Sequence, residues 1–350
     1  MFVRTALAAA AIAAAGIAAA ETIPVTVVAG HPPVFRWVRM THSVYIPAVN
    51  KALEGTGYSI EWSEQYGGSL AKVGGELEAV EEGLAEIGLV SSLFDPSKLA
   101  IQNVTYVTPF VSDKTATISA MMDKLQAEDA DMRASWEANG LEYLGCAIGI
   151  DDYLLMTDFP VNSLADLQGK KIGAPGPAVN WLKGTGAVGV SGNLTTYYNE
   201  LKTGVYDGVI VFASAALPGK LYEVAPFITK MRFGGQYAGG LAANKDWYDS
   251  QPPEVQAALK KGCEAYFTAY HQDLDAAVAK AFEVMQAKGA TVREVDEAMR
   301  KAWADGMDNV AKLWAQALEE KGQPGMRLLK LYMQTMREAG ATPVRNWDQE

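Results

Sequence analysis

With 350 residues the chain exceeds one typical hydrophobic core, and its composition, 49% hydrophobic and 20% charged, is that of a globular protein rather than a disordered or fibrous one. A formal net charge of −11 argues against nucleic acid or an anionic membrane as the main partner. Two cysteines without C-x-x-C spacing and three histidines outside any metal-ligand spacing give no reason to expect a metal or cofactor.

The first element is predicted to be removed. Arg4 supplies a positive end, Ala6 to Ala19 an apolar run, and Ala18-Ala19-Ala20 before Glu21 a small-residue cleavage site, so residues 1–20 read as a secretory signal peptide. The run is too short and too alanine-rich to span a bilayer, and no other stretch is apolar enough to do so; stable membrane insertion is not expected. Cleavage takes away Arg4 and no acid, which moves the formal charge from −11 to −12.

Ile23 to Ala29 then reads as a strand ending at Gly30-His31-Pro32-Pro33, followed by a helix from about Phe35 to Leu53 and an alternating strand from Ser59 to Trp62. The turn Tyr66-Gly67-Gly68-Ser69 introduces a helix predicted to run to Glu82, and Ile87 to Val90 is another strand. Leu141 to Gly149 reads as the first strand of a second lobe, and Lys171 to Ala174 as a strand after the Gly169 stop. A helix-like piece surrounds Trp181, a polar helix spans Thr196 to Lys202, and Val205 to Val211 is a buried strand. Tyr222 to Ile228 and Gly235 to Ala243 are predicted to return the chain to the first lobe, and from Pro253 the sequence is helical almost to its end.

Strands alternating with helices predict an α/β fold with parallel-type sheets, short crossings and long C-terminal bracing helices. The boundaries read as 21–145 plus 232–272 for one lobe and 146–231 plus 273–350 for the other with its bracing helices. In such sheets ligands gather beyond the carboxyl ends of the strands. That places His31 to Arg39, Glu64 to Ser69, Ser91 to Asp95, Asp151 to Tyr153, Gly173 to Pro177 and Phe212 to Ala215 nearest a ligand.

The segment from Leu164 to Gly208 carries the strongest pattern. Asp166, Leu167, Gly169, Lys171, Ile172, Tyr198, Leu201, Gly204, Asp207 and Gly208 fit D-L-x-G-x-K-I, a turn, a helix, then E-x-Y-x-A-L-x-x-G-x-x-D-G. This resembles one lobe of the extracytoplasmic solute-binding proteins of TRAP transporters, the dicarboxylate-binding family. The resemblance implies a two-lobed periplasmic binding protein that captures a small organic acid and delivers it to membrane permease subunits. Two positions depart from it: the family's ligand-clamping arginine falls on Gly173, and its glutamate near the helix start on Thr196. Losing both is coherent, because a buried acid without its cation is costly.

Catalytic patterns are absent. Gly184-Thr185-Gly186-Ala187-Val188-Gly189 matches G-x-G-x-x-G, but the dinucleotide reading needs a strand before the glycines and a helix opening on them, and Asn180 to Lys183 is helix-like. No H-E-x-x-H or G-x-S-x-G occurs, so an enzyme is not expected. For the ligand, Arg36 is the candidate to replace the missing arginine, with Arg39, Lys171 and Lys183 weaker. Trp37, Tyr153, Trp181 and Phe212 supply aromatic walls, and His31 follows a strand at the cleft. These walls favour an aromatic monocarboxylate, with or without a ring hydroxyl, over a C4-dicarboxylate, whose second charge would lose solvent uncompensated. Glu64 and Asp152 suit ring hydroxyls; equally they suit an ammonium, and the amine reading stays open beside that of an aliphatic oxo or hydroxy acid. A sensor partner that binds the solute and reports to a receptor kinase is a further alternative. For Cys146 and Cys263, two buried thiols is the preferred reading over a disulfide, since spacing alone does not establish a bond.

Overall fold

The computed structural model describes residues 20–350; the signal-peptide reading falls on residues 1–20 and so lies almost wholly outside them. Thirteen strands among the described residues form two large sheets and one small one. They are β1 (Glu21–Ala29), β2 (Tyr58–Tyr66), β3 (Ile87–Val90), β4 (Leu141–Gly145), β5 (Gly149–Ile150), β6 (Tyr153–Thr157), β7 (Lys171–Ala174), β8 (Val188–Ser191), β9 (Gly208–Phe212), β10 (Phe227–Lys230), β11 (Gln236–Tyr237), β12 (Gly240–Asn244) and β13 (Thr291–Glu294). The first sheet has the order β2-β1-β3-β12-β4 and the second β13-β10-β6-β9-β7-β8. Each is the core of one lobe of a two-lobed α/β protein.

The central strands read as the physics of a sheet covered on both faces requires. β3 (IGLV), β6 (YLLMT) and β9 (GVIVF) are buried along their whole length, so they carry apolar runs and not alternation. β1 pairs in parallel with β2 and β3, and β7 with β8 and β9. Purely parallel sheets do not form, however. β12 lies antiparallel between β3 and β4, and β6 antiparallel between β9 and β10. The reason is connectivity: a strand that arrives straight from the other sheet, with no crossover helix to turn it round, runs against its neighbours.

Those direct passages are the junction between lobes. The chain leaves the first sheet at β4, passes through β5 and enters the second at β6; it returns from β10 through β11 to β12. β5 and β11 pair with each other, antiparallel, as Ile150 opposite Gln236 and Gly149 opposite Tyr237. Two predicted assignments are thereby corrected. Leu141 to Gly145 ends the first sheet, so only the crossing that follows it starts the second lobe, and Tyr222 to Ile228 leads into β10 of the second sheet. The helix predicted to reach Glu82 is shorter, Glu76–Glu81, because Gly67, Gly68 and Gly74 take positive φ and hold the preceding segment as a loop. The late helical region is interrupted by β13, an edge strand parallel to β10.

The helix Pro253–Gln272 packs on β4, and the next, Leu274–Ala287, on β13. Further along, tryptophan N–H groups fasten the C-terminal region: Trp303 to the carbonyl of Trp181 (2.6 Å), Trp314 to that of Ala100 (3.0 Å) and Trp347 to that of Pro109 (2.8 Å). No helix among the described residues is long and apolar enough to cross a membrane.

Cys146 and Cys263 form a disulfide, which corrects the preference for two thiols. The backbone decides it: Gly145 and Cys146 both take positive φ at the end of β4, and the turn brings the Cα of Cys146 to 4.5 Å from that of Cys263 on the helix. The bond pins the start of one crossing to the first lobe and closes a sequence separation of 117 residues. A double Cys146→Ser, Cys263→Ser variant is expected to lose about 2–4 kcal/mol in urea denaturation, from the loop entropy restored to the unfolded chain.

Candidate functional site

Between the two sheets lies a cavity of about 420 Å³ including its mouth. The segments after β1 and β3 contribute His31, Trp37, Ser91, Leu93 and Phe94. From the other side come Tyr153 at the start of β6, Pro175 after β7, Leu194 and Tyr197 after β8, and Ile210 to Phe212 at the end of β9. Ile148, Ile150 and Ala238 enter from the crossings, and Tyr106 from the long loop after β3.

Its wall is an aromatic chain. Phe35 and Trp37 stack at 5.0 Å and 5°, Trp37 meets Phe212 at 5.8 Å, and Phe212 meets Tyr153 edge-on at 5.2 Å. Tyr153 presents its edge to Trp181 at 5.4 Å, and Trp181 stacks on Tyr106 at 6.0 Å. The hydroxyls of Tyr106 and Tyr153 share a 2.9 Å hydrogen bond, and the indole N–H of Trp181 donates to the Tyr106 carbonyl at 2.7 Å. Trp181 is thus a buried buttress behind the wall rather than part of the lining.

Four of the sequence-predicted residues, His31, Trp37, Tyr153 and Phe212, come together in the cavity. Five do not. Arg36 turns away and donates to the carbonyls of Ala269 (3.2 Å) and Tyr270 (2.9 Å) near the carboxyl end of a helix, where its charge meets the negative end of the dipole. Glu64 lies at the rim of the first sheet with its carboxylate 2.8 Å from the ring of His42. Asp152 accepts from the N–H of Gly234 at 2.8 Å and holds the two crossings together. Trp181 is the buttress just described. Gly173 sits in β7 with the ring of Tyr206 against it: a Cβ there would stand 2.8 Å from that ring. The space of a side chain at 173 is therefore filled by a tyrosine. Gly173→Ala is expected to destabilise the protein by about 1–3 kcal/mol in denaturant titration, through overpacking.

Sequence reasoning missed Tyr106 and Tyr197. Tyr197 stands beside Thr196, the position already singled out, and its place just after a strand and at a helix start was the available signal. Tyr106 lies in a loop without periodicity, so nothing in the sequence marked it.

Among the described residues the lining contains no lysine, arginine, aspartate or glutamate. Its polar groups are Ser91, His31 and the tyrosine hydroxyls, and two of these, Nε2 of His31 and Oη of Tyr197, are buried without a hydrogen-bond partner. Burial holds the His31 imidazole down to about 4, so at neutral pH it is uncharged. Acids surround the cavity one layer out. Glu76 accepts from the N–H groups of Gly30 (2.9 Å) and Gly74 (2.7 Å), which fixes the loop that carries His31, and burial pushes its carboxyl up to about 7. Gly30 can have no side chain there, since a Cβ would meet the backbone of Val73 at 2.3 Å. Asp151 binds the N–H and hydroxyl of Ser214 at the end of β9 and is pushed up to about 6 by burial; Asp152 is pushed up to about 7. Burial also raises Asp95 and Asp123 to about 6 and lowers His271 to about 4.

The pH dependence of stability follows from these signs. Between about pH 7 and 4 the five raised carboxyls bind protons in the folded state that the unfolded chain has released, so stability increases as pH falls through that window. The two buried imidazoles act oppositely between their unfolded value of 6.5 and about 4, since the unfolded chain takes up protons that the folded state refuses. Five groups against two predict a higher Tm at pH 5 than at pH 7.5, readable by calorimetry; a Tm that drops steadily as pH is lowered from 7.5 to 5 would show that the imidazoles dominate.

Comparison with known proteins agrees with the architecture. The family described as bacterial extracellular solute-binding protein, family 7, matches residues 53–321. The chain belongs to that family. Its members are the periplasmic solute-binding proteins of TRAP transporters, and they transport rather than catalyse. No curated protein matches in sequence. Among solved structures, the ectoine-binding protein of a TRAP transporter of Halomonas elongata has a TM-score of 0.77 at 19% identity, over 90% of this chain and 100% of that one. A TRAP solute-binding protein from Rhodoferax ferrireducens, in complex with copurified benzoate, has a TM-score of 0.77 at 17% identity, over 91% and 98%. One from a marine metagenome, specific for pyroglutamate, gives 0.75 at 22%, over 90% and 99%. At such identities the likeness speaks for the fold.

Proposed function

We propose that this protein captures a small organic acid bearing a flat ring and a single carboxylate, with an aromatic acid preferred, and hands it to the membrane subunits of a TRAP permease. The observation that carries the ligand class is the lining: Trp37, Phe94, Tyr153 and Phe212 around a few uncharged hydrogen-bonding groups. Offset and edge contacts with such rings contribute about 0.5–1.5 kcal/mol each beyond burial. A dicarboxylate would bring a second buried charge to a cavity with no lysine or arginine, at a cost of several kcal/mol. An amine would find no carboxylate in the lining. Tyr197 and the Tyr106–Tyr153 pair offer partners for a ring hydroxyl. Benzoate, pyroglutamate and β-D-galacturonate, each a ring with one carboxylate, are bound by solved proteins of the same fold, which supports the reading.

The lobe boundaries on which this reading rests are 21–145 plus 232–272 and 146–231 plus 273–350. The cavity is lined from both sheets, so a solute enters and leaves as the lobes part about the paired crossings and close again on it. Calorimetry is expected to give binding of benzoate, 4-hydroxybenzoate or phenylacetate and none of succinate, and Phe212→Ala is expected to weaken the ring acid about tenfold, the equivalent of one lost ring contact. Succinate binding with no ring acid bound would overturn the ligand class.

A further inference from the structure

We propose that His31 is the counter-charge for the bound carboxylate, and that it acquires that charge by taking one proton from solvent as the acid enters the cavity. This rests on the ring-acid reading above. Among the described residues His31 is the only basic one in the lining, its Nε2 is buried and has no partner, and position 173 is a glycine with the ring of Tyr206 packed against it. A carboxylate entering alone would be a buried anion without a cation.

The groups around His31 favour this assignment. Phe35, Trp37 and Phe94 surround its ring at 5.8, 5.4 and 6.1 Å, which excludes water and keeps the imidazole neutral while the cavity is empty. Glu76 fixes the Gly30 backbone behind it, and its two carboxylate oxygens are already occupied by N–H groups. Asp95 follows Phe94 and has an unpartnered oxygen, but its strongest electrostatic neighbours are Lys98 and Glu78. Arg36 on the adjoining helix is engaged by carbonyls, and Tyr106, Tyr153 and Tyr197 stay protonated, their hydroxyls raised by burial. None of these supplies the missing positive charge. An anion within hydrogen-bond reach of the imidazole favours its charged form, reversing the effect of burial. One proton moves from solvent to the ring, the ring donates to a carboxylate oxygen, and the cavity holds a neutral pair.

The test is calorimetry with benzoate, 4-hydroxybenzoate and phenylacetate at pH 6, in two buffers of different ionisation enthalpy, with the full chain. Uptake close to one proton per bound acid is expected, with affinity falling about tenfold for each unit of pH rise from 5 to 6, as linkage requires when the complex carries one extra proton. His31→Asn is expected to abolish uptake and flatten that profile. Because the variant is able to fail through misfolding, ring NMR of wild type provides a second readout: with three histidines in the chain, one imidazole should change from neutral to protonated at saturating ligand. Binding without uptake and with no imidazole changing state would overturn the inference and leave the ring-acid reading intact. Failure of all three acids to bind would overturn that reading, and this inference with it.

Discussion

The aromatic chain that passes from one lobe to the other is the constraint on which much of this structure depends. Phe35 and Trp37 come from the helix after β1, Phe212 and Tyr153 from the second sheet, and Trp181, Phe233 and Trp303 continue the contacts to the C-terminal helices at 5.4, 5.5 and 5.0 Å. The wall that meets a solute is thus continuous with the packing that orients the lobes. Each polar handle in it is satisfied internally where it is buried deepest, as in the Trp181 N–H to Tyr106 and the Trp303 N–H to Trp181 bonds. Rings have few rotatable bonds, so they hold such a surface at little entropic cost.

Charge is distributed to suit that wall. The acids that give the chain its overall charge are kept out of the lining, but several of them fix its backbone: Glu76 holds the His31 loop, Asp151 the start of the segment after β9, and Asp152 the returning crossing. Burial raises all three toward neutrality, which limits the negative potential they project inward. The cavity is therefore weakly polar inside an acidic protein, and a single uncharged imidazole with a free nitrogen becomes its most responsive group.

The crossings supply the mechanical side. Two short strands, β5 and β11, carry the chain between sheets and pair only with each other. The disulfide anchors one end of that pair to the first lobe, at Cys146.

Local pattern was enough to reveal several of the central strands, such as β1, β3, β7 and β9, the loops after them that reach the cavity, and the family. Apolar runs such as Val209 to Val211 report burial on both faces of a sheet, and burial is a property of the segment itself. The departure of Gly173 and Thr196 from the resembled pattern was equally legible. What only the tertiary structure decided is where long side chains go once their backbone is placed. Arg36 is one residue from Trp37 yet turns to helix carbonyls, and Glu64, expected after a strand that ends at Trp62, lies inside the longer β2 and meets His42, because a flexible charged group takes the nearest partner in space. The pairing of Cys146 with Cys263, the approach of Tyr206 to Gly173 and the arrival of Tyr106 in the cavity all join residues far apart in sequence. Spacing along the chain carries no record of such contacts; they exist only once strands, helices and loops have been brought together in space.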